Sequence, residues 1–193
     1  MANVDTVLFT WINRGAGHIS VLDSVMKWLA SDYLVPGSLC LILLSMWFAG
    51  INQAERQRYQ VGVLVALISI VIVSGTVMFV NSFYFRDRPF VNMDVLLLFY
   101  KPTDSSFPAN SAAVSFALAA AIWAVNRRIG WAMFGAAALY GFARVFSGVH
   151  YPLDIIVGGG IGMGVAGVLH WSKKLFESLL MAVIRVARVF CLA

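Results

Sequence analysis

The chain reads as apolar runs separated by short polar breaks. Residues 61–80 form the clearest run, about 20 apolar residues, enough to cross a hydrocarbon core of about 30 Å. Residues 34–51, 108–125, 129–147 and 151–171 read as further spans. Between them lie a polar loop from Asn52 to Gln60, a tight basic turn at Asn126–Arg128, and Lys173–Lys174 after the last span. Residues 3–14 suit a short amphipathic helix at the interface, broken by Gly15 and Gly17. Residues 19–30 form a second short segment with Asp23 and Lys27 one turn apart, so 1–30 reads as interfacial or as a first span. The one long non-apolar stretch is 81–107, read as an outer loop. The tail, 172–193, is apolar with Arg185 and Arg188 and reads as a cytoplasmic amphipathic segment on the membrane surface. The pattern predicts an all-α, polytopic membrane helical bundle. It has about five to six transmembrane helices plus short interfacial helices, in a single domain over 1–193.

Composition narrows the class. Of 193 residues, 61% are hydrophobic and 12% charged, far from the balance of a soluble domain. The net charge of +5 sits in short loops between spans, which argues against a nucleic-acid partner. Arg56, Arg58, Arg127, Arg128, Lys173 and Lys174 fall on one side if the spans alternate, and that side is predicted cytoplasmic. The 81–107 loop and the 144–154 stretch then meet on the outer side. Cys40 and Cys191 read as small buried hydrophobes rather than a disulfide. Residues 1–15, with Asp5 early and Arg14 late, lack the apolar core of a cleavable signal peptide. His18 and His170 read as interfacial. Gly158 to Gly164 places small residues at four-residue spacing, which predicts close helix packing rather than a phosphate loop.

Candidate chemistry concentrates in Arg144–Asp154, R-V-F-S-G-V-H-Y-P-L-D, between two apolar runs. Polar groups at such depth are costly and tend to be functional. A helix from Tyr151 onward puts His150 and Asp154 about one turn apart, where the carboxylate can hold the imidazole in one tautomer. Arg144 offers a planar fork of donors suited to phosphate. Arg86 and Asp87 read either as a local ion pair or as part of a pocket, and Lys101 and Asp104 as loop charges.

The spacing R-x5-H-x3-D resembles the third signature of the type 2 phosphatidic acid phosphatase family, which shares its site with vanadium haloperoxidases. Arg88–Pro89 resembles the end of the first signature, K-x6-R-P, and Ser106–Ser111 (S-F-P-A-N-S) sits where the second, P-S-G-H, belongs. The S-V-L-D-S-V-M and Y-F-R-D-R-P-F stretches look closest to the bacitracin-resistance type of undecaprenyl-diphosphatase. The resemblance implies a multi-pass protein of the inner (plasma) membrane, with the site facing outward and no cofactor or metal. Its partners would be a lipid phosphate or diphosphate substrate and membrane lipids. His150 would be the nucleophile, Asp154 its orienting partner, and Arg88 and Arg144 the clamp on the phosphoryl oxygens. Oligomeric state stays open.

Four family positions depart from the pattern. Asn81 stands where the family has Lys, with Lys101 and Arg86 as out-of-register alternatives. Pro108 is kept, but Ala109 replaces Ser, Asn110 replaces Gly, and Ser111 replaces the His that protonates the leaving group. These four positions remain the expected substrate contacts, with a degenerate second motif. A phosphate monoester expels an alkoxide, which needs that proton. A lipid diphosphate expels a lipid phosphate, whose second pKa is about 6, and leaves near neutral pH with little help. The expectation is therefore phosphate release from a polyprenyl diphosphate, with undecaprenyl diphosphate as the substrate the resemblance implies. The alternative is a catalytically impaired pseudo-phosphatase that binds or transports a lipid phosphate.

Overall fold

The computed structural model describes residues 4–190, so Cys191 lies outside the described residues. The described residues form helices α1 (Val4–Asn13), α2 (Ser20–Ala30), α3 (Leu34–Phe48), α4 (Gln53–Phe83), α5 (Pro89–Asn92), α6 (Asn110–Trp123), α7 (Arg127–Phe146), α8 (Pro152–Ser172) and α9 (Glu177–Val189). A 3-10 turn, Lys173–Phe176, joins α8 to α9.

Helix starts follow local chemistry. Asn52 accepts the Glu55 N–H, so the stretch read as a polar loop is the first turns of α4. Asn126 accepts the Ile129 N–H at the start of α7. Pro152 opens α8, where a missing N–H costs nothing.

Three helices, α4, α7 and the α8–α9 run, are long and apolar enough to cross a membrane, and α2–α3, bent by 50°, makes a fourth as a pair. Among the described residues, α6, which the sequence also reads as a span, is an apolar helix of only 14 residues, about 21 Å, and so falls below that length. Its length matters less than its position. α6 lies inside the bundle against α4, α7 and α8, with Ala112, Ala113, Ala117, Leu118, Ala121 and Ile122 buried. At 10 residues, about 15 Å, α1 is too short to span, and it docks on α7 and α8.

The glycines of α8 set the closeness of that packing. A Cβ at Gly158 would lie 2.5 Å from the Ala109 carbonyl oxygen, and one at Gly162 would lie 2.0 Å from that of Ala113. The backbones of α6 and α8 therefore touch, as small residues at four-residue spacing permit. The core continues through Leu39, Leu43 and Met46 of α3, Val65, Ala66 and Val73 of α4, and Met133 and Tyr140 of α7. Large apolar side chains also cover the outside, including Val71, Met78 and Phe79 of α4 and Trp171 of α8. Such all-round apolarity fits a helix bundle in lipid. Cys40 corrects the sequence reading: it is exposed, because the buried stripe of α3 runs through Val35, Leu39, Leu43 and Met46, one position away. The tail also differs in part from a surface segment, since α9 packs on α4 with Leu180 and Ile184 buried.

The two ends of the bundle are chemically distinct. Arg58 of α4 donates to the Val125 carbonyl before α7, and Arg58, Val125 and Lys173 line one pocket at that end. At the other end meet the 84–109 segment, the α7–α8 turn and the start of α6.

Candidate active site

The α7–α8 turn builds the centre of the site. Gly148, at φ +83°, takes a left-handed conformation that disfavours a side chain, and its backbone passes close to Leu96. Asn13 staples this turn to α1 and the outer segment, donating to the carbonyls of Phe146 (2.8 Å) and Leu96 (3.1 Å) and accepting the Leu96 N–H (3.2 Å). The turn delivers His150, only 3% exposed, against Arg88 and Ser106.

The partners of His150 determine its tautomer. Nδ1 lies 3.0 Å from the Ser106 carbonyl, an obligate acceptor, so Nδ1 carries the proton. Nε2 lies 3.1 Å from Arg88 Nη1, an obligate donor, so Nε2 presents its lone pair. His150 lies between the α7 and α8 spans, and burial pushes its pKa down to about 4, with Arg88 and Arg144 adding to the effect and Asp154 opposing it. A neutral imidazole with a free lone pair is in the protonation state that nucleophilic attack requires, and a buried guanidinium beside it has the donors that suit a phosphate.

Asp154 is fully buried behind the ring. Its Oδ2 is 3.8 Å from His150 Nδ1, longer than a hydrogen bond. Three other donors saturate it: Ser106 Oγ (2.5 Å), the Tyr151 N–H (2.9 Å) and Arg86 Nη1 (2.6 Å). Arg86 also reaches Asp5 (2.6 Å) and lies over the Tyr151 ring. Burial works against the charge on Arg86, but Asp5 and Asp154 together outweigh it and raise its pKa. Asp5 in turn accepts the Leu153 N–H in the first turn of α8. Arg86 therefore holds Asp154 in place, and Ser106, bonded to both Asp154 and the ring, links its position to the imidazole.

A cavity of about 350 Å3 opens in front of His150, lined by Arg88, Arg144, Asn110 and Ser111 among others. The structure thus brings together His150, Arg88, Arg144, Asn110 and Ser111. Asp154 and the buried Ala109 lie behind the wall, the Ala109 N–H donating to the Asp154 carbonyl. Asn81 sits in the last turn of α4, away from the lining, with its Oδ1 buried and unpaired. Ser111 Oγ, at the start of α6, is likewise buried without a partner.

Both arginines of the cavity hold carboxylates. Arg144, in the last turn of α7, pairs with Asp32 at 2.6 Å. Arg88 pairs with Asp104 at 2.9 Å; burial pushes its pKa down while Asp104 pulls it up. Sequence reasoning passed over Ser106, Asp5 and Asp32, left Arg86 between two roles and took Asp104 as a loop charge. The available signal was an acid isolated beside an apolar run, as at Asp5 and Asp32.

Among known proteins, the PAP2 superfamily model matches residues 61–177. Undecaprenyl-diphosphatase BcrC of Bacillus subtilis is 32% identical over 151 residues, covering 77% of this chain and 74% of the relative. The putative undecaprenyl-diphosphatase YbjG of Escherichia coli is 29% identical over 170 residues, covering 88% and 81%. Among solved structures, Aquifex aeolicus LpxE superposes with a TM-score of 0.66 at 27% identity, covering 86% of this chain and 94% of that one. A PAP2-type phosphatidylglycerolphosphate phosphatase from Bacillus subtilis shares the fold, with a TM-score of 0.62 at 19% identity, covering 89% and 87%. The family match spans α4 to the start of α9 and takes in Arg88, Arg144, His150 and Asp154: this chain belongs to the PAP2 superfamily.

Proposed function

We propose that this chain is an integral-membrane lipid phosphatase, working as one domain, that releases phosphate from a polyprenyl diphosphate through a His150 nucleophile. The substrate class follows from the undecaprenyl-diphosphatases it resembles and from its own chemistry, because Ser111 cannot protonate an alkoxide leaving group near neutral pH. A lipid phosphate leaves without that help. The single observation that carries the reading is the orientation of His150. Its lone-pair nitrogen faces the cavity, 3.1 Å from a buried arginine, and its other nitrogen is held by the Ser106 carbonyl.

In this mechanism the terminal phosphoryl group displaces Asp104 and Asp32 from Arg88 and Arg144, whose fixed donors meet the charge that builds on its oxygens. His150 Nε2 attacks phosphorus, the bond to the bridging oxygen breaks, and the lipid phosphate departs with the bonding electrons. Arg88, Arg144, Asn110, Ser111 and the backbone at Ala109 are the proposed substrate contacts; Asn81 is the weakest, since it lies off the cavity. The basic turns at the far end support a cytoplasmic assignment there and a site facing outward from a bacterial plasma membrane.

The test is phosphate release from undecaprenyl diphosphate by purified protein in detergent, with EDTA present. Turnover that vanishes in His150→Ala supports the reading. Absence of turnover with retained binding of lipid phosphate moves the chain to a non-catalytic binding role, the second reading favoured by Ser111 in place of the acid histidine.

A further inference from the structure

The site as described lacks a group to activate the second substrate, water. A phosphohistidine must be hydrolysed, the imidazole cannot act as base while it carries the phosphoryl group, and Ser111 is too weak a base. The other candidates lining the cavity are two carboxylates, Asp32 and Asp104.

Their hydrogen bonds separate them. Asp32 is fully engaged: Oδ1 accepts from Arg144 (2.6 Å) and Tyr140 (3.4 Å), and Oδ2 accepts from Tyr100 (2.8 Å). Asp104 is held on one side only. Its backbone carbonyl accepts from Arg88 Nε (3.0 Å) and its Oδ1 from Nη2 (2.9 Å). Its Oδ2 has no protein partner among the described residues, and its side chain is 69% exposed. The Arg88 guanidinium thus presents Nη1 to the nucleophile and Nη2 to a carboxylate with one open oxygen. A phosphoryl group seated on that fork lies between the two, and water must enter on the side away from Nε2 for in-line displacement.

Resting on the phosphohistidine reading above, we propose that Asp104 is the general base that activates water to hydrolyse the His150 phosphoryl intermediate. It takes over proton transfer from the histidine position that this chain fills with Ser111. As the water oxygen bonds to phosphorus, one water proton passes to the Asp104 carboxylate. The P–Nε2 bond breaks and its electrons return to Nε2 as the lone pair. Inorganic phosphate leaves as the monohydrogen dianion, and the exposed carboxyl group gives its proton to solvent. The mouth position also accounts for the ion pair: the carboxylate that neutralises Arg88 is freed when phosphate arrives.

Rapid-quench kinetics with farnesyl diphosphate labelled in the terminal phosphate test this, using the full chain in detergent. Asp104→Asn is expected to keep a burst of farnesyl monophosphate of about one per enzyme. Its steady-state rate should fall by about 100- to 10,000-fold, with labelled phosphohistidine accumulating on the protein. Asp104→Glu should recover part of the rate, as should added formate acting as a small external base. Asp87→Asn, at an exposed neighbour that accepts from Asn92, should turn over as wild type. An unchanged steady-state rate in Asp104→Asn, or loss of its burst together with turnover, overturns the proposal. Failure of the underlying reading has a different signature: the wild-type enzyme turns over with no labelled histidine, or His150→Ala retains the burst.

Discussion

The two walls of the cavity differ in how their polar atoms are satisfied. On the α7–α8 side every group of the His150–Asp154 pair is committed: Nδ1 to Ser106, Nε2 to Arg88, and Asp154 to three donors from two segments. On the α6 side Ser111 Oγ is buried with no partner. Buried polar groups are ordinarily paired, because an unpaired one loses its hydration without replacement. The His150–Asp154 pair is therefore held in place around a neutral imidazole, while Ser111 keeps an open hydrogen-bonding atom on the facing side. Ser111 is also one of the positions that depart from the family pattern, and the α7–α8 side has open polar atoms of its own at Arg144 Nε and Ser147 Oγ, outside the His150–Asp154 pair.

Removing the proposed nucleophile should have the largest effect. His150→Ala is expected to lower phosphate release by at least about 10,000-fold, with the fold retained by circular dichroism. A residual rate within tenfold of wild type would place the chemistry elsewhere.

The brace behind the nucleophile should come next. Arg86→Ala leaves Asp5 and the fully buried Asp154 without their cation, a loss of about 3–5 kcal/mol for a broken buried pair. Thermal unfolding in detergent reads it, and a variant as stable as wild type would show that Ser106 and Tyr151 hold Asp154 alone.

Acid should then affect the committed wall selectively. Burial lowers the His150 pKa from an unfolded value near 6.5 to about 4, so the folded state favours the neutral ring. The stability tied to that neutrality is complete above pH 6.5 and is lost as pH falls towards 4, by about 3 kcal/mol. His150→Gln, which does not titrate, should flatten this part of the melting curve against pH. Parallel curves would refute the buried neutral state.

The smallest effect on the diphosphate reaction should come from completing the open wall. Ser111→His, which puts back a general acid, should change diphosphate turnover by less than about tenfold. It should raise hydrolysis of a lipid monophosphate by about 100-fold or more. Equal gains on both substrates would remove the leaving-group argument for the degenerate motif.

By itself the sequence determined the membrane class and the order of the apolar segments, because hydrophobic run length is a local property matched to bilayer thickness. It also determined the His150–Asp154 spacing, since Pro152 and a helix start leave little freedom over four residues. The close contact predicted at Gly158–Gly162 was legible for the same local reason. What only the tertiary structure decided lies at long range. The Arg86–Asp5, Arg86–Asp154 and Arg144–Asp32 pairs join residues 81, 68 and 112 positions apart. An ion pair leaves no periodic trace in a sequence; its partners meet only when separate helices pack. The burial that sets the state of His150, and the placing of Arg86 rather than Lys101 as the cation on Asp154, follow from that packing.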